Sequence, residues 1–474
     1  MAFEPVSPES QGLSSPALLR FVNALDRKIH EMHSLMLLRH GKLVAQGWWK
    51  PYAPHRPHML FSLTKSFTST AVGLAVAEGR FSVEDHLLSF FPEKAPAKPG
   101  KNLKALRLKH LLSMVTGHAA DTTERMIVGG GEDWIKGFLS LQVENPPGAP
   151  FVYNSGASYM LAAVVQQVTG MRLSEYLRPR LFEPLGITDV VWETSPQGVD
   201  IGGWGLSLRT EEIARFGQLY LQQGVWEGQQ LIPAAWVEQA TSQQVSNGSN
   251  PSSDWEQGYG YQFWRCRHNA YRADGAFGQF CLVLPEQEAV LAMTAGVGEM
   301  QPMLDLVWKY LLSGFSTSPL PDDPGACTRL QRKLERLAVP LPESGLPSAL
   351  EAELPGRTYH MQPHQSQLER LSFNFTPDHC ILDMQLAGTP ARLVCGRGTW
   401  VESETRLFAP APMPVRACAV WSAPDTLQII LRYIESPFFF SLTCHFAGDD
   451  LHIHPLANVA FGPLESPELV GKSV

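Results

Sequence analysis

Ser62 and Lys65 stand three residues apart in FSLTKSFTST (residues 61–70). Small and apolar residues at helical spacing predict a helix from Leu63 to Glu78, stopped by Gly79. On a helix, positions i and i+3 share a face, so both side chains would emerge together. A lone serine is a poor nucleophile and needs a neighbour that takes its proton. A lysine can do so once burial or nearby positive charge lowers its pKa. A helix start also offers free N–H groups to a developing oxyanion. The competing reading is structural: Ser62 as a helix N-cap followed by a surface lysine. One or two S-x-x-K tetrads are expected by chance in roughly this length of chain, so other segments must decide.

Two do. Tyr153-Asn154-Ser155 lies on a loop ahead of a helix that runs through MLAAVVQQVT to Gly170, with Ser155 as its expected N-cap. A phenol beside a lysine ammonium could lose its proton more readily, and could serve as a base or a relay to a leaving group. Ala273-Asp274-Gly275-Ala276 reads as tight backbone before the strand FGQFCLVL. Gly275 would let a substrate backbone come close, and the N–H that follows could complete an oxyanion hole. Trp204, between glycines in GGWG, is a candidate wall of an acyl pocket, with core packing weighed equally. Trp134 is placed on a Gly-rich loop near the site, with Glu124 and Asp133 the nearest acids able to meet a substrate amine. A solvated surface role weighs more for those two acids. His55 and His58 fit no zinc spacing, and His452 and His454 lack a visible third ligand. No metal or other cofactor is expected, and HExxH, P-loop, GxGxxG and GxSxG patterns are all missing.

The elements that must hold these residues are legible in outline. LMLLRHGKLVAQGWW predicts a β-hairpin turning at His40-Gly41-Lys42. A capping box at Ser82–Asp85 predicts a further helix, and LKHLLSMV a short buried one. Strands are expected over Gly258–Arg267 and on either side of Pro285-Glu286-Gln287, then a helix from Pro302 to Ser313. Strands, many helices, then strands and a last helix indicate an α+β class, an antiparallel sheet flanked by helices. Residues 1–315 are read as this domain and 316–349 as a Pro-rich linker with the short basic helix LQRKLERLA. Residues 350–474 alternate in short runs such as CILDMQL and LHIHP, an all-β barrel or sandwich.

The 474 residues carry a formal charge of −8, which argues against nucleic acid or anionic membrane as a partner. The first ten residues lack the pattern of a signal peptide, and no apolar run is long enough to span a bilayer. Seven cysteines without a CxxC pair then favour reduced thiols and a cytoplasmic location.

SLTK, YNS and ADGA, in that order and spacing, resemble the serine β-lactamase and penicillin-binding-protein superfamily. The closest pattern is its class C-like branch, which also holds family VIII esterases, D-aminopeptidases and nylon-oligomer hydrolases. LKHLLSMVTGH, PGAPFVYNSGASYMLAAVVQQVTG and GGWGLSLRTEEIARFGQLYLQQG are similar to the same family, and the likeness covers roughly residues 5–315. It implies a β-lactamase/transpeptidase-like fold with a helical subdomain. It also implies that Ser62 is the acylated nucleophile, Lys65 its proton acceptor, and Tyr153 the residue serving the deacylating water or the leaving group. The N–H groups of Ser62 and Ala276 would form the oxyanion hole, and Ser155, Trp204, Asp274 and Gly275 would contact substrate. Two departures stand out: Ser155 replaces an Asn, and Ala273 replaces the Lys or His that helps β-lactam-hydrolysing relatives hold a carboxylate. The resemblance therefore points to hydrolysis of small esters or amides through an acyl-enzyme, with efficient β-lactamase or D-amino-acid peptidase activity as alternatives. A catalytically silent binding protein is the competing class, and intact Ser62, Lys65 and Tyr153 weigh against it. For the C-terminal domain the candidate roles are packing on the first domain, limiting substrate size, and forming a homodimer.

Overall fold

The computed structural model describes residues 3–148, 150–343 and 347–473, so part of the second Pro-rich piece lies outside the described residues. Its first half is built on a six-stranded antiparallel sheet. The order is Lys42–Trp48, Met32–Arg39, Ala289–Ala295, Gln279–Leu284, Tyr271–Gly275 and Trp264–Arg265. Met32–Arg39 is buried along its whole length, because both faces of the sheet are covered. Leu35, Leu37, Leu282, Leu291 and Met293 face one layer, made by helix Ser15–Lys28 and the helical stretch 301–311. Met36, Leu38, Cys281, Val283 and Val290 face the other, where helices Thr64–Ala77, Ser155–Thr169 and Thr210–Leu221 lie. The Pro-rich segment after residue 315 contains helix Pro324–Glu335. Its Leu330 and Leu334, with Leu337 and Val339 beyond, pack into the first of these layers.

Several local expectations change. Ser82–Asp85 closes a turn, with the Ser82 N–H donating to Asp85 at 2.8 Å, and leads only to a 3-10 turn at Leu87–Phe90. Of Gly258–Arg267, only Trp264–Arg265 forms a strand. The last helix is α-helical over Gln301–Leu306 and continues in wider and then tighter turns to Gly314. Trp134 is not on a loop: it opens helix Trp134–Ser140 and is buried against Tyr159. Asp133 caps that helix and pairs with Lys94 at 2.8 Å, and Glu124 sits on the exposed helix Thr123–Gly130.

The C-terminal half resolves the choice between sandwich and barrel. Nine strands run in the order Thr389–Arg397, His379–Leu386, Leu368–Phe375, Tyr359–Met361, Leu469–Ser473, Asp450–Ala457, Phe439–Ala447, Thr426–Tyr433 and Met413–Ala423. Gly396 and Arg397 then pair in parallel with Cys418 and Ala419, which closes the barrel. A tenth strand, Val401–Thr405, adds to Met413–Ala423 alone. Most strands alternate buried and outward residues, as in Cys380, Leu382, Met384 and Leu386, while Met413–Ala423 and Thr426–Tyr433 carry continuous buried runs, and the interior is a packed apolar core. The barrel is tied to the first domain by named contacts. Arg432 meets Glu31 at 2.6 Å, the Met59 N–H donates to the Glu435 carbonyl, and Asn458 Nδ2 donates to the Gly296 carbonyl. All seven cysteines are unpaired. No helix of the described residues is long and apolar enough to cross a membrane.

Candidate active site

Helix Thr64–Ala77 is apolar or small on every side and is buried from Thr64 to Ala75. Several of its hydroxyls find partners inside the fold: Ser66 donates to the Gln262 carbonyl at 2.6 Å and Thr68 to the Gly202 carbonyl at 2.8 Å. Phe67 stacks on Phe216 at 3.9 Å, fixing the helix to its neighbour on the sheet. Ser62 precedes this helix in a 3-10 turn, Phe61–Leu63. Phe61 has φ of +48°, a left-handed conformation that costs a bulky L-residue on the order of 1–2 kcal/mol.

Gly275 explains why the third segment lies where it does. Tyr271–Gly275 is itself a strand, rather than tight backbone ahead of one. A Cβ on Gly275 would sit 1.9 Å from the Leu60 carbonyl oxygen. The glycine therefore admits the turn that carries Ser62. Phe277, just after Ala276, also has positive φ, +69°.

The second segment differs from expectation in one respect. Asn154, not Ser155, caps helix Ser155–Thr169, its Oδ1 accepting from the Ala157 N–H and from Thr122. Ser155 is thus released from capping, and its hydroxyl lies 3.0 Å from Lys65 Nζ. Gly202 and Gly203 press against the same helix; a Cβ on either would fall within 2.8 Å of its backbone oxygens. That contact brings the Gly203 carbonyl to 2.7 Å from Lys65 Nζ.

Lys65 is 1% exposed, and its third partner is Ser62 Oγ at 2.9 Å. Burial brings its pKa down to about 7, against the carboxylates of Asp121 and Asp274, which raise it. A neutral amine fits this set of three. It can donate to the Gly203 carbonyl and the Ser155 hydroxyl while its lone pair accepts from the Ser62 hydroxyl. The Tyr153 phenol lines the same cavity beside Ser62. Burial first, and the Asp274 charge second, push its pKa far up, so the phenol stays protonated instead of losing its proton to the lysine. Its ring stacks on Trp264 at 5.3 Å and carries Lys65 Nζ over its face at 4.8 Å.

Ser62, Tyr153, Ser155, Trp204, Asp274, Gly275 and Ala276 all line one cavity of about 860 Å³, with Lys65 beneath its floor. Ala273 turns into the core. Of the nearby cations that could stand in for the missing Lys or His, Arg272 is fully buried, and its Nε donates to Asp274 at 2.9 Å. Arg267 pairs with Asp254 and Asp305, Arg265 donates to the Thr241 carbonyl and to Asn269, and His268 packs on Trp308. None of these four lines the cavity, whose charged walls are Asp121, Glu193 and Asp274.

His58 is buried against His33, and His452 and His454 share Glu468. No group of three metal-ligating side chains exists among the described residues. Sequence reasoning missed Asp121, whose Oδ2 accepts from the Ser155 N–H and whose Oδ1 caps Thr123. The D-T-T run is the signal that could have found it. It also missed Gln262, whose side chain joins Ser158 to the Leu111 and Leu112 carbonyls, and it missed the cavity's aromatic residues from later in the chain.

The comparisons agree with this architecture. The Beta-lactamase family description matches residues 25–309, and the chain belongs to that family of serine hydrolases. It is 23% identical over 309 residues to a 6-aminohexanoate-dimer hydrolase of Paenarthrobacter ureafaciens, covering 61% of this chain and 79% of that one. Among solved structures, EstCE1, a hydrolase with promiscuous acyltransferase activity, superposes with a TM-score of 0.51 at 16% identity, over 62% of this chain and all but 1% of that one, which covers 99%. SurE does so with a TM-score of 0.50 at 18% identity, over 92% of this chain and 100% of that one.

Proposed function

We propose that this protein is a cofactor-independent serine hydrolase acting on small esters or amides through an acyl-enzyme on Ser62, esterase-like rather than an efficient β-lactamase. The observation that carries the reading is the buried Lys65 amine, held by Ser62, Ser155 and Gly203 with its pKa near 7. Such an amine takes the Ser62 proton as Oγ bonds to the acyl carbon. The Tyr153 phenol, protonated and lining the cavity beside Ser62, would give its proton to the departing alcohol or amine. The N–H groups of Ser62 and Ala276 would bear the oxyanion, and water would then release the acid. The choice of substrate rests on the cavity wall. It carries carboxylates and no lysine, arginine or histidine, so a free carboxylate beside the scissile bond meets repulsion instead of a clamp. The relative named a 6-aminohexanoate-dimer hydrolase accords with this choice.

A fluorophosphonate probe should label wild-type protein at Ser62, and p-nitrophenyl butyrate should turn over in a Ser62-dependent manner, faster than nitrocefin. Intact protein that acquires no Ser62 adduct and hydrolyses no ester would overturn the reading and leave a binding protein in its place.

A further inference from the structure

Two residues of the barrel reach the reacting centre. Phe438 and Phe461 line the same cavity as Ser62, although they lie far along the chain in a different domain. They meet Phe61 and Phe277, the residues next to the two proposed oxyanion donors, Ser62 and Ala276. Ring centroids are 4.8 Å apart for Phe461 and Phe277, 5.8 Å for Phe461 and Phe61, 5.6 Å for Phe438 and Phe277, and 6.0 Å for Phe438 and Phe61. Phe61, Phe438 and Phe461 line the cavity together with Met59 and Met300, and Phe277 packs against all three rings; Asp121, Thr123 and Glu193 add polar groups to the lining.

This wall is held in place from both sides. The Met59 N–H bonds the Glu435 carbonyl three residues before Phe438. Asn458, three residues before Phe461, donates to the Gly296 and Pro437 carbonyls. Yet Phe461 is 79% exposed, the most exposed large apolar side chain of the described residues. A phenyl ring fixed at the mouth of a cavity and left open to water gains most when an apolar group covers it.

We infer that Phe461 and Phe438 are specificity-determining residues, forming a cross-domain subsite for an alkyl or aryl substituent flanking the scissile carbonyl. The inference rests on the serine-hydrolase reading and deepens it: the substrates are esters or amides with an apolar arm of medium length. The barrel then acts as part of the substrate site.

The test uses the full-length chain as wild type, Phe461→Ala, Phe438→Ala and, as a control on the same loop, Leu464→Ala, which is exposed but does not line the cavity. Kcat/KM is measured for p-nitrophenyl acetate, butyrate and octanoate, and for acetates of ethanol and 1-naphthol. Phe461→Ala should lose about tenfold on the longest or bulkiest member of one series relative to its shortest, since one aromatic contact is worth roughly that factor. Leu464→Ala should keep the wild-type preference. A second readout needs no turnover. In Ser62→Ala protein, p-nitrophenyl octanoate should quench the fluorescence of Trp204, Trp255 and Trp264 in the cavity, with a several-fold weaker Kd once Phe461→Ala is added. Unchanged preference in both series with unchanged Kd would overturn the subsite while Ser62-dependent turnover stood. Loss of turnover with the Kd effect intact would instead overturn the hydrolase reading and keep the subsite.

Discussion

Lys65 and His58 are near neighbours in the chain, both buried and both held below their ordinary pKa by desolvation, yet they sit in opposite kinds of surroundings. Lys65 meets two hydroxyls and a carbonyl, and through Ser62 it opens onto the cavity. His58 is sealed where the two domains meet. Its Nδ1 lies 2.9 Å from the Met59 carbonyl, which can only accept, so Nδ1 carries the proton and Nε2 accepts from His33 Nδ1 at 3.0 Å. His33 stacks on Tyr52 at 3.7 Å beside the Arg432–Glu31 pair. The same desolvation thus lowers the pKa of an amine that touches a cavity-lining serine in one place and of a sealed imidazole in the other. A lowered pKa becomes chemistry only where the group touches something a substrate can reach.

The largest expected effect sharpens the first half of that contrast. Lys65→Met keeps the length of the side chain and removes its lone pair; turnover should fall by about 10³-fold or more with the fold retained, as measured by kcat and circular dichroism. Breaking the second cluster should do the reverse. Arg432→Met leaves Glu31 without its partner at the domain boundary and should cost about 3 kcal/mol in urea unfolding, with a smaller change in kcat.

Acid should separate the clusters by stability. His58 is lowered to about 4 and His33 well below its ordinary value, chiefly by burial, and for His33 also by the facing His58 and Arg432. The unfolded chain therefore binds protons that the fold refuses. For His58, stability is full above about pH 6.5, falls as pH drops toward 4 and levels off below it, a loss on the order of 3 kcal/mol, and the His33 contribution extends the fall to lower pH. Glu31, 3.9 Å from His33, is the one facing carboxylate that would soften this loss. The slope of melting temperature between pH 6.5 and 4 should be shallower in His58→Gln. The smallest effect is kinetic. Lysine must be neutral to accept a proton, so kcat/KM should rise with pH through about 7. Asp121→Asn removes a charge that raises the Lys65 pKa, and should move that limb to lower pH by a fraction of a unit. A shift upward would contradict the assigned role of Asp121.

Much of the hydrolase domain was legible because its signals are local. Residue spacing puts Ser62 and Lys65 on one face, the hairpin at Gly41 and the strands about Pro285 follow turn chemistry, and the barrel strands follow a two-residue alternation. Local reading failed where two partners compete for one role. Asn154 and Ser155 are adjacent potential caps, and only the approach of Thr122 and Lys65 assigns one to capping and the other to the lysine. Gly202, Gly203 and Gly275 could be seen as places of close approach, but not what approaches.

The sequence by itself determined the residue types of the candidate site, their order and the two classes of secondary structure around them, since these depend on neighbours within a few positions. The tertiary structure alone decided the protonation of Lys65 and Tyr153, because desolvation depends on everything packed around a group. It also decided the walls of the cavity: Asp121, Glu193 and the phenylalanines at 438 and 461 converge on Ser62 only when helices, sheet and barrel close upon one another.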